Sequence, residues 1–438
     1  MIRLAAPVVL AELGWMSMAI VDTLVVGRVS AAAMGAVSLG GILFYTAAMA
    51  GTGLLLGLDT LVSQSFGAGD IADCHHSLLN SVYLAAPLSL ALMGLVWSFA
   101  PLLASFGIDP EVLRETRPYL DAIVWSTFPL LLYFAFRRYL QGMNLVKPVM
   151  FALITANLLN FAGNWILVFG HFGAPAMGTR GSGWATCISR IYMAAVLIVY
   201  AWRHDHGLLK TPLKPDLGRI RDLIRLGFPA AMQIAFEIGV FAVVTTLMGR
   251  LGATSLAAHQ IALNAASVSY MVPLGVGAAA AVRVGQALGR GDPVGANRAG
   301  WTGMLLGAGF MSCCGVVFWT APQLILGVYK PNADVMRAGA SLLAIAAVFQ
   351  LFDGIQTVAT GALRGTGDTR TSMLCHLTGY WGLGLPVGYY LCFRLGWGAV
   401  GLWTGLCLAI ILIGCALLLA WSRTYAVVET VAGRGTRL

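Results

Sequence analysis

Residues Leu226 to Gly249 run for 24 positions with a single charge, Glu237, at their midpoint. A stretch of that length and apolarity spans a bilayer as an α-helix. Backbone N–H and C=O groups in lipid must find partners inside the protein, which leaves helical bundles or closed barrels. The apolar runs of this chain are continuous rather than alternating, which argues against a barrel. Twelve of them fall at approximately 4–27, 37–65, 77–106, 118–142, 149–170, 183–203, 226–249, 257–287, 300–328, 337–363, 372–394 and 398–421. The expected fold is an all-α membrane protein of twelve transmembrane helices. Charged residues make up 10% of the chain and the mean hydropathy is +0.81, whereas a soluble domain carries about 25% charge. The 53 glycines fit helices that pack closely in lipid. Pro7, Pro87, Pro129, Pro229, Pro273, Pro322 and Pro386 lie inside spans, where neighbouring helices satisfy the freed backbone.

The net charge is +9. Lys and Arg sit at the ends of apolar runs, so membrane topology accounts for the excess and no nucleic-acid partner is needed. The termini and the segments after even-numbered spans hold 18 Lys and Arg, and the other side holds 8. That bias places both termini in the cytoplasm of a multi-pass inner-membrane protein. Arg137 and Arg138, near the end of span 4, are expected to snorkel to water. Arg190 lies within span 6 and needs a carboxylate or carbonyl partner. No cleavable signal is evident, because the first run contains Glu12 and Asp22. None of the eight Cys forms a C-x-x-C, and they read as free, buried thiols. Residues 203–225 are the most polar interior stretch, with two Pro and six Lys or Arg. They form a linker, with an amphipathic helix expected at 216–225 on the membrane surface. The expected organisation is an N-lobe at 1–203, a cytoplasmic linker at 204–225, a C-lobe at 226–422 and a cytoplasmic tail at 423–438.

The two lobes resemble each other. A shift of 222 residues brings Leu4 onto Leu226, Pro7 onto Pro229 and Gly27-Arg28 onto Gly249-Arg250. It also brings Gln64, Gly67, Gly69 and Asp70 onto Gln286, Gly289, Gly291 and Asp292. A shift of 223 pairs Leu140 and Gly142 with Leu363 and Gly365. Shared apolarity does not produce matches on Gly, Pro, Gln, Arg and Asp. Two parallel six-helix repeats imply pseudo-symmetric bundles and alternating access by rocking.

Charges far from span ends are mainly acids: Glu12, Asp22, Asp59, Glu237 and Asp353. Intramembrane carboxyls are costly and mark ion or substrate pathways. Acids attract cations and repel anions. Carboxyls out of water exchange protons near neutrality, or hold Na⁺ together with amide oxygens. Asn160 and Asn164 lie four apart, on one helix face. They suit hydrogen bonds to an acid such as Asp22, oxygen donation to an ion, or plain helix–helix contact. The 222-residue shift pairs Glu237 with Trp15 and Asp22 with Val244. The scaffold repeats, but the acids do not.

In chain order, several short stretches carry a family pattern. They are Val21-Asp22-Thr23, the run Asp59 to Gly69, Leu159-Asn160 through Asn164-Trp165, Phe236-Glu237, His259-Gln260-Ile261, and Asp353-Gly354-Ile355-Gln356 through Leu363-Arg364-Gly365. In this order, within twelve spans and a repeat, they resemble a multidrug and toxic compound extrusion (MATE) transporter over nearly the whole chain. The resemblance implies an antiporter that exports organic cations and drugs in exchange for H⁺ or Na⁺, with no cofactor. It assigns Asp22, Asn160 and Asn164 to an N-lobe cation or proton site. It assigns Glu237 and Asp353 to a C-lobe site, where they can hold Na⁺. Asp59, His259 and Gln260 are added as cavity or supporting residues. The expected partners are cationic small molecules and the lipid bilayer, and the expected state is a monomer. Phe349 stands four before Asp353, where some bacterial members have Tyr. The Asp59 stretch and Tyr270 to Arg283 look closer to the eukaryotic, usually proton-coupled branch.

Two rivals share this frame. A lipid-linked precursor flippase of the same superfamily carries an anionic substrate, which central acids disfavour. A membrane-embedded enzyme needs a clustered catalytic set. The seven His are scattered, His75-His76 and His204/His206 read as solvated, and no H-E-x-x-H, G-x-S-x-G or P-loop pattern occurs.

Overall fold

The computed structural model describes residues 1–106, 108–205, 207–208 and 214–435. His206 and residues 209–213 of the expected linker, and 436–438 of the tail, lie outside the described residues. Among the described residues every regular element is helical. Among the described residues eleven helical runs, one of them (Ala31–Gly67) broken by a turn at Leu55–Leu56, are long and apolar enough to cross a membrane. The first six are α1 (Ile2–Val26), α2 (Ala31–Gly67), α3 (Ile71–Ser105), α4 (Pro110–Gly142), α5 (Lys147–Phe169) and α6 (Thr179–His204). The next four are α7 (Leu217–Arg250), α8 (Ala253–Gly289), α9 (Pro293–Thr320) and α10 (Ala333–Thr366). The last is α12 (Gly398–Gly435), whose apolar part is Gly398–Tyr425. The remaining span is α11, residues 369–393. It is built from an α-helix Thr369–His376, a π-helical segment Leu377–Gly384 and an α-helix Leu385–Phe393. The twelve-span, all-α fold is therefore the one expected.

Proline explains two interruptions. Pro129 has no N–H for the carbonyl four residues back, and α4 tightens into a 3₁₀ turn at Val124–Ser126. Pro386 removes the bond to Gly382, and the wide π segment ends two residues before it.

The sequence repeat has a backbone basis. Gly69 (φ 81°) and Gly291 (φ 70°) are left-handed residues that end α2 and α8. In the next position the Asp70 N–H reaches Ser65 O at 2.9 Å, and the Asp292 N–H reaches Ala287 O at 2.9 Å. Each Asp then caps the following helix, accepting from the N–H of Asp73 or Gly295. The 223-residue shift relates a second pair of turns, Asn144 (φ 64°) and Gly367 (φ 92°). These closing bonds run from Leu145 N–H to Leu140 O and from Asp368 N–H to Leu363 O. All four are helix stops of the Schellman type, where only Gly or Asn sits at little cost.

The chain folds as two compact units, Leu10–Ala231 and Met1–Val9 with Met232–Leu438. The boundary residues Val9 and Ala231 are themselves 222 apart. Each approaches a glycine inside its own unit, and the two glycines are also 222 apart. A Cβ on Gly53 would lie 2.7 Å from Ala231 Cα, and one on Gly275 would lie 2.6 Å from Val9 Cγ2. Such close backbone approach is what small residues permit in lipid.

The structure corrects three expectations. The 216–225 stretch is not a separate surface helix, because Leu217–Arg225 forms the first turns of α7. Asp216 caps those turns by accepting from the Gly218 N–H (2.8 Å), and its own N–H donates to Asn80 Oδ1 (2.7 Å). Arg219 pairs with Asp73 on α3, and His76 faces Asp216 at 3.5 Å. Asp216 and Arg219 thus meet protein partners, while Arg221, Asp222 and Arg225 are exposed. His75 is not solvated but buried, 3.0 Å from Asp205. The eight Cys are free, but Cys313 is exposed and Cys314, Cys375 and Cys415 are half-buried.

The glycine contacts make a prediction. Gly53→Leu and Gly275→Leu should each destabilise the detergent-solubilised protein, by about 1–3 kcal/mol for overpacking. Gly94→Ala and Gly309→Ala, which meet nothing within 4 Å, should leave thermal unfolding unchanged.

Candidate functional site

In the first unit, α1, α5 and α6 converge on Asp22, which is buried together with Asn160 and Asn164. Asn164 Nδ2 donates to Asp22 Oδ1 at 2.7 Å and to the Asn160 carbonyl at 3.0 Å. The Thr186 hydroxyl donates to Asp22 Oδ2 at 2.7 Å and accepts from Asn160 Nδ2 at 3.3 Å. The side-chain oxygens of Asn160 and Asn164 are buried and have no hydrogen-bond partner. The cluster therefore has one carboxylate and two unspent amide oxygens, a donor set for a proton or a hard cation.

Arg190 lies one turn beyond Thr186, within electrostatic reach of Asp22. Among the described residues neither a carboxylate nor a carbonyl is its hydrogen-bond partner, contrary to the expectation. Its guanidinium donates to Ser126 Oγ (2.5 Å) and the Tyr45 hydroxyl (3.0 Å). It also lies over the rings of Phe44, Tyr45 and Trp15 at 4.8, 5.4 and 6.0 Å. Ring faces stabilise a cation removed from water.

The second unit holds Glu237 on α7 and Asp353 on α10. Gln233, one turn earlier, donates to Glu237 Oε2 at 3.0 Å. Gln356 Nε2 donates to Asp353 Oδ1 (2.9 Å) and to the Tyr380 hydroxyl (3.1 Å). Tyr270 and Tyr380 lie within electrostatic reach of both carboxyls. The π segment of α11 carries Tyr380, and Trp381 anchors it by donating to the Phe236 carbonyl at 3.0 Å. His376, one residue before that segment, points Nε2 at Glu237 Oε2 from 4.0 Å. Phe349 packs near the Trp403 ring and supplies no hydroxyl.

The supporting residues divide. His259 is buried, with Trp403 Nε1 donating to Nδ1 (3.0 Å) and Thr245 Oγ1 at 2.9 Å from Nε2. Both ring nitrogens are thus occupied inside the helix packing. Gln260 is exposed. Asp59 is buried and faces Arg138 at 3.5 Å. Arg137 pairs with Glu12. The two arginines do not snorkel; both are buried, because acids on α1 and α2 receive them.

Sequence reasoning singled out the acids and asparagines but not Thr186, Gln233, Gln356, Tyr380 or His376. Two signals were present. Thr186 stands four residues before the unexplained Arg190, on one helix face. His376 is one of two histidines inside the span ranges read from the sequence. Among the described residues no group of three or more His, Cys, Asp or Glu is suited to a metal ion.

A family model described as MatE matches residues 7–166 and 229–390. The chain belongs to the MATE family. The two matches begin 222 residues apart, the same shift that superposes the halves of the sequence. Curated relatives of this MATE protein include the multidrug resistance protein NorM of Burkholderia vietnamiensis, 37% identical over 96% of the chain and 92% of the relative. The probable multidrug resistance protein NorM of Mesorhizobium japonicum is 35% identical over 96% and 93%. Among solved structures, the eukaryotic MATE transporter AtDTX14 matches with TM-score 0.84 at 20% identity, over 97% of this chain and 96% of that one. A MOP superfamily transporter from Pyrococcus furiosus, described as having a binding pocket of reverse polarity, matches with TM-score 0.86 at 16% identity, over 98% and 96%. These structures establish the two-lobed MATE fold.

The ion pairs give a prediction. Arg137→Met strands Glu12 as an unpaired buried charge and should cost about 3–5 kcal/mol, read by thermal unfolding in detergent. Adding Glu12→Met should restore most of the loss, because the pair's own net contribution is small.

Proposed function

We propose that this MATE transporter exports small organic cations across the inner membrane in exchange for H⁺ or Na⁺, using one buried carboxylate cluster in each unit. Membership of the family makes it a secondary active multidrug efflux transporter that works by alternating access. The repeats at 1–203 and 226–422 serve as the two lobes, and the linker and both termini face the cytoplasm, as the Lys and Arg bias supports. It acts as a monomer.

One observation carries the assignment of the site. The acids inside the spans, four of them buried and Glu237 half-buried, fall into two kinds. Glu12 and Asp59 face arginines. Asp22, Glu237 and Asp353 have only neutral amide or hydroxyl donors as hydrogen-bond partners among the described residues. An acid neutralised by a fixed arginine does not respond to an incoming ion. An acid held by neutral donors can take up and release a proton or a cation without breaking a buried ion pair. Asp22 with Asn160 and Asn164 forms the N-lobe coupling site on this reading, and Glu237 with Asp353 forms the C-lobe site. Asp59 is structural, and His259 braces α7 against α12.

The sign of the charge also bears on the flippase alternative. A phosphate-bearing lipid precursor would be repelled by three buried carboxyls without basic hydrogen-bond partners, whereas an organic cation is attracted. The NorM relatives, named for multidrug resistance, agree with drug export.

Asp22→Asn and Glu237→Gln should each reduce efflux of an ethidium-like dye towards the level of cells without the transporter, with the protein still present in the membrane at normal amounts. Wild-type resistance in either variant would remove that residue from the coupling machinery. Neutral and anionic dyes should be exported poorly by the wild type, and equal export of all three would refute the electrostatic basis of selection.

A further inference from the structure

We infer that His376 sets the ion specificity of the C-lobe site, making the Glu237 carboxyl a proton site that rejects Na⁺; this rests on the proposal that Glu237 takes part in coupling. The geometry of the ring carries the argument. His376 Nδ1 lies 2.7 Å from the Ser372 carbonyl oxygen. A carbonyl only accepts, so Nδ1 bears the hydrogen. In the neutral ring Nε2 is then an acceptor, and it faces Glu237 Oε2 at 4.0 Å. Two acceptors facing each other inside a membrane repel unless a proton or a cation lies on or between them.

A proton resolves that conflict in either place. On Nε2 it makes an imidazolium beside a carboxylate, and on Oε2 it makes a carboxylic acid that donates towards the imidazole. Na⁺ resolves it poorly. Hard cations of this kind select shells of oxygen ligands, and here one wall of the site is an imidazole nitrogen. The other groups do not repair the deficit. Gln233 and Gln356 turn their NH₂ groups, not their oxygens, towards Glu237 and Asp353. Phe349 brings no hydroxyl. The titratable groups facing the pair are Asp353 from α10, Tyr270 from α8 and Tyr380 from α11 itself. None is basic, so His376 is the one base among the titratable groups that face Glu237.

The N-lobe cluster differs in kind. Around Asp22 the unspent groups are two amide oxygens, of Asn160 and Asn164, whereas beside Asp353 there is one, of Gln356. The nitrogen donor is confined to the Glu237 site. His376 is also held firmly: it is buried, and its ring lies against Tyr380 with centroids 5.8 Å apart. The Ser372 bond fixes its tautomer, much as an outer-shell carbonyl orients a metal-binding histidine.

The test uses the full-length protein in vesicles, following a cationic dye while H⁺ and Na⁺ gradients are imposed separately, for wild type, His376→Asn, His376→Gln and Glu237→Gln. For the wild type, a proton gradient should drive exchange. His376→Asn, which puts an amide oxygen and no base beside Glu237, should move the pH midpoint of exchange by about one unit. It should also gain a response to the Na⁺ gradient. His376→Gln should behave alike and serves if the Asn variant does not reach the membrane. Unchanged pH profiles and Na⁺ responses in both variants would overturn the inference. Independently of any His376 variant, Na⁺ can be titrated into the wild type at fixed pH while tryptophan fluorescence is followed, Trp381 being tied to the Phe236 carbonyl next to Glu237. A Na⁺-dependent signal lost in Glu237→Gln but kept in Asp22→Asn would overturn it too, and the absence of such a signal supports it. Normal transport by Glu237→Gln would instead show that the coupling role of Glu237 is wrong, an outcome separate from a failure of His376.

Discussion

Every other feature of this protein depends on how a carboxyl removed from water is kept company. Taking a charge into an apolar interior costs several kcal/mol even after relaxation, so each buried acid must be answered. Two answers are present. Glu12 and Asp59 receive guanidinium groups and become fixed parts of the first unit. Asp22, Glu237 and Asp353 receive amides and hydroxyls, which stabilise without neutralising. The difference separates scaffold from machinery more sharply than burial does, because all these acids are wholly or largely buried.

The repeat is a property of the backbone more than of the sites. Its four helix stops coincide under shifts of 222 and 223 residues, because a left-handed residue and a closing N–H bond admit few alternatives. Buried chemistry is freer to diverge. Where the first unit places Asp59, the second has Ala281. Where Arg138 lies, the second has Gly361, whose added Cβ would come 2.1 Å from Gly277 O. One unit fills that position with an ion pair and the other with a close backbone crossing.

The spans, the repeat and the acids were legible in the sequence because each leaves a local trace: apolar length, Gly and Asp at fixed offsets, a charge where none belongs. Two asparagines at helical spacing suited an acid such as Asp22 as a partner, but equally an ion or plain helix–helix contact, and only the fold sets Asn164 against Asp22. What stayed hidden depends on contacts between distant residues. Nothing near Arg137 in sequence announces Glu12, and the expectation that it reaches for water follows from position in its span alone. Thr186 and Tyr380 are ordinary residues until a fold sets them beside carboxyls. The π segment of α11 escaped because its cause, Pro386, lies at the far end of the segment it permits. The 216–225 stretch looked like a separate surface helix because an amphipathic pattern does not say where a helix ends, and Leu217–Arg225 runs on into α7.

The exchange of short terminal pieces between the units bears on how the protein is made. Residues 1–9 precede Leu10 in the chain but belong with a unit whose remainder begins at Met232, whereas the unit starting at Leu10 includes residues up to Ala231. The unit that starts at Leu10 cannot complete its core until the start of α7 has left the ribosome, and the other needs a segment made well before Met232. Cutting the gene at the linker would give each product a missing strip of core. Such fragments would each lack residues that the intact chain groups with them.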